Sequence, residues 1–385
     1  MMDRIYLDHA ATTPVTKPVL EAMLPYFTDC YGNASSIHGT GRDARRGVEN
    51  AREKVAKALG ADSTSEIYFT SGGTESDNWA IKGYCLANQD RGRHLICSCI
   101  EHHAVLHTCE SLRKMGFSLT VLPVDSEGFV DPEDVRKALR KDTILVSVMT
   151  ANNEIGTLEP IREIAQIVHG QGALMHTDAV QAVGAIPLDV SEVGVDMLSL
   201  SGHKLGAPKG VGALYMKKGT HIQPFMDGGE QERRLRAGTE NVPGIVGLGQ
   251  AVEDAVQRLP AFTQKVRSLR DDLRYRILEA IPDVLVNGPR DSRLPGNLNI
   301  SLLGLEGESV LLRLDLAGIA ASSGSACTAG SLDPSHVLMA IGRTRQEAQS
   351  SLRLTLGWEN TKEEIDVTVD VLKEIVHDLR SLRLH

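Results

Sequence analysis

The sequence predicts an α/β protein in which a mainly parallel seven-stranded sheet is flanked by helices and followed by a smaller α+β domain. Two observations carry this prediction. Between residues 60 and 220, short apolar runs alternate with amphipathic stretches, which is typical of parallel sheets with helices on both faces. A long helical pattern at 242–281 then leads into a C-terminal part with fewer strands and a closing helix. The 385 residues suffice for two domains.

The individual elements follow from the same patterns. Apolar runs predict the strands of the large sheet at 66–70, 94–98, 118–122, 143–149, 174–178, 197–200 and 212–216. Helical spacing predicts helices at 74–87, 105–115, 132–139 and 161–170. Pro260 predicts a possible break in the long helix. In the C-terminal part, strands are predicted near 298–302 and 351–356, a mobile loop at 320–333, and a helix near 362–382.

The composition excludes several classes of protein. A net charge of −9 without long basic stretches argues against a nucleic-acid-binding protein, which needs a basic surface. The N-terminus lacks an apolar signal core, and no run of about 18 apolar residues occurs, so we expect a cytoplasmic protein. The 6 cysteines include no CxxC pair, so we expect neither structural disulfides nor a dedicated metal site.

Three polar features follow predicted strands and together indicate a cofactor. Gly73 and Thr74 lie in a glycine turn between a strand and a helix, where backbone N–H groups and the helix dipole bind phosphate. Asp178 closes an apolar strand, and Lys204 follows another. Alone, the aspartate would be structural and the lysine a surface residue. Together, a phosphate site, a carboxylate for a pyridinium nitrogen and an amine for a Schiff base match the needs of pyridoxal 5′-phosphate (PLP).

Ten short motifs lie in order along the chain. They are Tyr-Leu-Asp-His-Ala-Ala-Thr-Thr-Pro at 6–14, Gly-Asn-Ala-Ser-Ser-Ile-His at 32–38, Ser-Gly-Gly-Thr-Glu-Ser at 71–76, Glu-His-His-Ala-Val at 101–105, Asn-Asn-Glu-Ile-Gly at 152–156, His-Thr-Asp-Ala-Val-Gln at 176–181, Ser-Gly-His-Lys at 201–204, Arg-Ala-Gly-Thr-Glu-Asn at 236–241, Ser-Ser-Gly-Ser-Ala-Cys at 322–327 and Leu-Arg-Leu at 352–354. With these motifs the chain resembles the cysteine desulfurases, which are fold-type I PLP enzymes of the class V aminotransferase group. The resemblance implies the PLP-dependent transferase fold, with a large domain at 15–257 and a small domain formed by 1–14 and 258–385.

The resemblance also implies roles for individual residues. The phosphate contacts would come from Gly73, Thr74, Ser201 and His203, and from Thr239 of the partner subunit, so that the active unit would be a homodimer. The cofactor ring would be contacted by His102, stacked on its face, by Asn153 and Gln181 near its phenolic oxygen, and by Asp178 at its nitrogen. Arg353 would pair with the substrate carboxylate, a task that suits a planar bidentate donor.

Cys327 selects one reaction among those that PLP supports. A structural cysteine would lie among large apolar residues, whereas Cys327 lies among Ser, Gly, Ala and Thr, where a thiol can move and be reached. By resemblance, Lys204 removes the Cα proton of L-cysteine, and the Cys327 thiolate takes the sulfur as a persulfide while L-alanine is released. A free thiol has a pKa of about 8.5, so the thiol needs activation, for which His102 is the candidate acid or base.

Alternative functions stay open. A selenocysteine lyase would need the same loop, whereas a class V aminotransferase gives no reason for Cys327. A catalytically silent scaffold is a third alternative, against which the presence of Lys204, Asp178 and Cys327 argues. The sulfur acceptor is expected to be an iron–sulfur scaffold protein or a sulfur carrier for tRNA thiolation, because a Gly/Ser-rich loop lets sulfur leave a buried site.

Overall fold

The computed structural model describes residues 4–323 and 333–382. The strands are β1 (Ile5–Tyr6), β2 (Ile67–Thr70), β3 (His94–Ser98), β4 (Ser118–Leu122), β5 (Thr143–Ser147), β6 (Leu174–Asp178), β7 (Met197–Ser201), β8 (Gly212–Met216), β9 (Val284–Asn287), β10 (Asn297–Leu302), β11 (Ile319–Ala320) and β12 (Ser351–Thr355). The helices are α1 (Lys17–Met23), α2 (Pro25–Thr28), α3 (Gly39–Leu59), α4 (Gly73–Asn78), α5 (Tyr84–Ala87), α6 (His103–Lys114), α7 (Pro132–Ala138), α8 (Ile161–Gly170), α9 (Val190–Val193), α10 (Gln231–Arg234), α11 (Val242–Ala280), α12 (Gly307–Leu316), α13 (His336–Ala340), α14 (Arg345–Gln349) and α15 (Lys362–Leu382).

The large sheet has seven strands in the order β2-β8-β7-β6-β5-β3-β4. The pairs from β4 through β3, β5 and β6 to β7 are parallel, whereas β8 runs antiparallel to both β7 and β2. Every residue of β3, β5, β7 and β8 is buried, as expected for a sheet covered by helices on both faces. The predicted α/β fold with a mainly parallel seven-stranded sheet is thereby confirmed.

The long helix α11 joins two hydrophobic cores. Leu248 and Val252 near its start pack in the core of the large sheet, while Leu273 and Ile277 near its end pack in the core of the C-terminal part. The predicted break at Pro260 is wrong, because α11 continues through this residue. A proline within a helix costs about 3 kcal/mol. We attribute its tolerance here to the packing of α11 against α3 and α15.

The predicted helix at 74–87 is also interrupted. It consists of α4 and α5 with a π-helical turn, Trp79–Gly83, between them. Such turns place one extra residue in the helix and are frequent near functional sites. The buried indole of Trp79 donates a hydrogen bond to the carbonyl oxygen of Gln223 at 2.9 Å, which ties this turn to the chain beyond β8.

The C-terminal part contains an antiparallel sheet with the order β12-β10-β9. β1 near the N-terminus pairs in parallel with β11, so the first described residues join this part of the fold. The division into 15–257 and 1–14 with 258–385 stays a prediction, which this pairing supports. The predicted loop at 320–333 begins as paired backbone, because Ala320 lies in β11 and Ser322 bridges to Arg353. Residues 324–332, with Cys327, lie outside the described residues.

Candidate active site

A cavity of about 320 Å³ lies at the carboxyl ends of β6 and β7. Ligands of open α/β sheets bind at this edge. Ten residues that the sequence analysis singled out line the cavity: Gly73, Thr74, His102, Asn153, Asp178, Gln181, Ser201, His203, Lys204 and Arg353. Thr239 is exposed and does not line this cavity, and Cys327 cannot be placed because it lies outside the described residues.

Asp178 is the last residue of β6 and is buried. One of its carboxylate oxygens accepts a hydrogen bond from the backbone N–H of Val180 at 2.9 Å. Burial raises the pKa of Asp178, and the neighbouring His102 ring, the backbone N–H of Val180 and the Lys204 ammonium oppose that rise without cancelling it. A cation next to the carboxylate would favour its ionised form further. The protonated ring nitrogen of PLP would be such a cation.

Behind Asp178 lies a second buried carboxyl group, Asp77, which also lines the cavity. Its Oδ1 atom has no hydrogen-bond partner among the described residues and lies 3.7 Å from Nε2 of His176. The His176 ring contacts the hydroxyls of Ser147 at 2.8 Å and Ser199 at 3.0 Å. Burial lowers the pKa of His176 to about 3, so this ring is neutral near pH 7, and burial together with the nearby Asp178 carboxylate raises the pKa of Asp77 well above its ordinary value.

Lys204 lies on a single 3-10 turn, Gly202–Lys204, that follows β7 directly. Its Nζ donates hydrogen bonds to the carbonyl oxygens of Ala10 and Ala11, the latter at 2.7 Å. His203 Nδ1 contacts the Thr12 hydroxyl at 3.1 Å. The segment 10–13 therefore closes over the lysine. The motif at 6–14 resembles that of the cysteine desulfurases, but its residue types do not by themselves predict this contact with Lys204.

His102 precedes α6 and caps it, because its Nδ1 accepts a hydrogen bond from the backbone N–H of Ala104 at 3.1 Å. In the neutral ring this contact leaves the proton on Nε2. His102 therefore offers a defined tautomer to the cavity that it lines.

The side of the cavity at which the sequence predicts phosphate binding is formed by the turn that leads into α4. A Cβ atom on Gly73 would come within 2.6 Å of Val180 Cγ2, so only glycine fits without displacing that side chain. Glu75 in the first turn of α4 accepts a hydrogen bond from the backbone N–H of Ser71 at 3.0 Å. Burial raises the pKa of Glu75, but hydrogen bonds from Arg236 and Ser71 outweigh it, so the pKa lies below its ordinary value.

Arg353 reaches the cavity from β12 and is 2% exposed. Its Nη2 donates to Asp8 Oδ1 at 3.0 Å, and its Nη1 donates to the carbonyl oxygen of Asn153 at 3.2 Å. Nε has no partner among the described residues. A buried guanidinium facing a polar cavity is a binding group for a carboxylate, because the planar fork of donors matches two carboxylate oxygens.

The model of one protein family, aminotransferase class-V, matches residues 5–367. The chain belongs to the aminotransferase class-V family. It is 54% identical over 382 residues to cysteine desulfurase IscS of Dictyoglomus turgidum, covering 99% of this chain and 97% of that protein. It is 53% identical over 378 residues to cysteine desulfurase IscS of Methanosarcina thermophila, covering 98% and 93%. Among solved structures, a NifS-like protein superposes with a TM-score of 0.93 at 41% identity, covering 98% of this chain and 100% of the other.

As a class-V protein the chain uses PLP, and the cavity fits this cofactor. The three groups that PLP needs line this one cavity: the Lys204 amine, the buried Asp178 carboxylate and the glycine turn at Gly73. When bound, PLP supplies an electron sink for the charge that develops at Cα of an amino acid. We expect Lys204 to hold the cofactor, Asp178 to face its ring nitrogen, and Gly73 and Thr74 to hold its phosphate. The individual contacts stay predictions.

Proposed function

We propose that the protein is a cysteine desulfurase, which converts L-cysteine and the Cys327 thiol into L-alanine and a Cys327 persulfide. The observation that carries the proposal is the buried guanidinium of Arg353 in the same cavity as Lys204. It provides a site for an amino acid carboxylate beside a base. The names of the two relatives at 54% and 53% identity support L-cysteine as the substrate.

The residues of the cavity divide the reaction between them. Arg353 binds the carboxylate and so orients the substrate, and Lys204 Nζ takes the Cα proton. The Cys327 thiolate forms a bond to the substrate sulfur as the C–S bond breaks, and the remaining fragment gains protons to become L-alanine. His102, with its proton on Nε2, serves as the acid or base for the thiol. The persulfide then passes to an acceptor, either an iron–sulfur scaffold protein or a sulfur carrier for tRNA thiolation.

The active unit is proposed to be a homodimer. Thr239 is exposed and lies outside the cavity of its own chain, as a residue that serves a partner subunit would. Ser35, in the segment between β1 and α3, and Glu240, next to Thr239, line one polar cavity. The segment between β1 and α3 therefore lies close to Thr239. That first segment carries several exposed large apolar side chains: Leu20, Leu24, Phe27, Tyr31 and Ile37. A subunit interface would bury such side chains and so remove their apolar surface from water.

The reaction is tested with purified protein, L-cysteine and a reductant. Sulfide and alanine should form in equal amounts, and Cys327→Ser should abolish both while leaving the absorbance of bound PLP unchanged. Full activity of Cys327→Ser would exclude the persulfide mechanism. Much faster turnover of L-selenocysteine, with little of L-cysteine, would favour the selenocysteine lyase.

The homodimer is tested by mixing two inactive variants, Lys204→Ala and Thr239→Ala, under conditions that exchange subunits. If Thr239 serves the partner, a mixed dimer contains one intact site, and activity should return to as much as half that of the wild type in those dimers. If Thr239 served its own subunit, neither site of the mixed dimer would be intact, and no activity would return.

A further inference from the structure

The short segment α10 is a left-handed turn rather than an α-helix. The φ angles of Glu232, Arg233 and Arg234 are 42°, 58° and 67°, and none of these residues is glycine. L-residues seldom adopt this conformation, and three in succession persist only where surrounding contacts hold them. We call residues 232–234 the arch.

One buried ion pair holds the arch at its first residue. The Arg52 guanidinium contacts both carboxylate oxygens of Glu232 at 2.9 Å, and the two side chains are 5% and 4% exposed. The same carboxylate accepts a hydrogen bond from the backbone N–H of Phe69 at 3.0 Å. Phe69 belongs to β2, one of the two edge strands of the large sheet. Glu232 therefore fastens the arch both to α3, through Arg52, and to the sheet.

The chain leaving the arch reaches the phosphate side of the cavity. Arg236, two residues after the arch, contacts Glu75 through Nε at 2.8 Å and through Nη2 at 3.2 Å. Glu75 in turn accepts the backbone N–H of Ser71 at 3.0 Å, immediately before the glycine turn that lines the cavity. A chain of contacts thus runs from Arg52 and Glu232 through Arg236 and Glu75 to this turn.

We propose that Arg52 and Glu232 are positioning residues for the cofactor site. Their ion pair holds the left-handed arch, the arch sets Arg236 against Glu75, and Glu75 fixes the turn at 71–73 that receives the phosphate of PLP. Neither residue lines the cavity, so the effect is indirect. The proposal deepens the proposed function and rests on it only for the presence of PLP.

The test measures PLP binding to cofactor-free protein by absorbance titration and uses no cysteine. Glu232→Gln removes the charge that pairs with Arg52 and should raise the Kd for PLP at least tenfold. The matched control is Glu230→Gln, in the same segment, because Glu230 and its partner Arg234 are 76% and 75% exposed. This control should bind PLP like the wild type. Since glycine adopts φ > 0 without strain, Arg234→Gly removes the strain at one of the three positions, and combined with Glu232→Gln it should recover part of the lost affinity.

A second variant covers the case in which Glu232→Gln fails to fold. Arg52→Lys keeps the buried charge but loses the two-pronged contact, and it should raise the Kd for PLP in a protein with wild-type circular dichroism. A folded Glu232→Gln or Arg52→Lys protein that binds PLP with the wild-type Kd would overturn the proposal, as would an affinity loss that Arg234→Gly leaves unchanged. A wild-type protein that binds PLP but does not release sulfide would refute the desulfurase function and leave this test valid.

Discussion

Replacing Arg353 by lysine should weaken the binding of L-cysteine and leave PLP in place. The guanidinium is 2% exposed, with Nη2 bound to Asp8 at 3.0 Å and Nη1 to the Asn153 carbonyl at 3.2 Å. Lysine keeps the positive charge for Asp8 but offers one nitrogen in place of a planar fork. One charge-assisted hydrogen bond to the substrate carboxylate is therefore lost, at a cost of about 1.5–3 kcal/mol.

Since about 1.4 kcal/mol corresponds to a factor of ten, the KM for L-cysteine should rise about 10- to 150-fold. Initial rates of alanine formation over a range of L-cysteine concentrations measure this change, and the absorbance spectrum checks that PLP is bound. Arg343→Lys is the control, because Arg343 contacts Asn287 at 2.7 Å and the Val286 carbonyl at 3.0 Å, away from the cavity. A variant at position 353 with the KM of the wild type would refute the assignment.

Three further predictions concern Asp178, the pH dependence of stability and the core. Asp178→Asn should retain bound PLP but lower kcat by at least about 100-fold, because losing one electrostatic contact at a reacting centre has effects of this size. A wild-type kcat would contradict this prediction. Burial raises the pKa of Glu159 from 4.5 to about 8, so the folded protein holds a proton that the unfolded chain releases, and stability falls as pH rises through this window. The urea midpoint of the wild type should therefore fall between pH 5 and pH 8, and that of Glu159→Gln should fall less over the same range. An equal fall in the two proteins would contradict this prediction. Leu248→Ala, at a fully buried position, should lower the free energy of unfolding by about 2–5 kcal/mol in urea titrations, whereas Leu316→Ala, at a position 87% exposed, should change it by less than about 0.5 kcal/mol.

The parallel sheet and the placement of Asp178 and Lys204 could be predicted because buried parallel strands are short apolar runs bounded by turns. The predicted bounds at 94–98, 118–122, 174–178 and 212–216 coincide with those of β3, β4, β6 and β8. A polar residue at the end of such a run lies at the carboxyl edge of the sheet, where the cavity is found. Proximity of the two side chains then follows from the pairing of β6 with β7.

Other features had no local signal. The carbonyl oxygens of Ala10 and Ala11 that receive Lys204 are backbone atoms, which every residue possesses. Asp77 lies in a polar stretch, and its burial depends on how α4 packs against β7 and β8. A proline usually ends a helix, but the packing of α11 keeps this helix continuous through Pro260. The left-handed arch contains none of the glycines that usually indicate a backbone with positive φ.

The N-terminal segment over Lys204 has a consequence for how the enzyme is made. Asp8 binds Arg353 and Ala10 binds Thr355, each across 345 positions of sequence. The N-terminal segment therefore finds these partners only after β12 has been synthesised. A nascent chain can form the large sheet early, but the cavity lined by Lys204 and Arg353 is incomplete until β12 has folded.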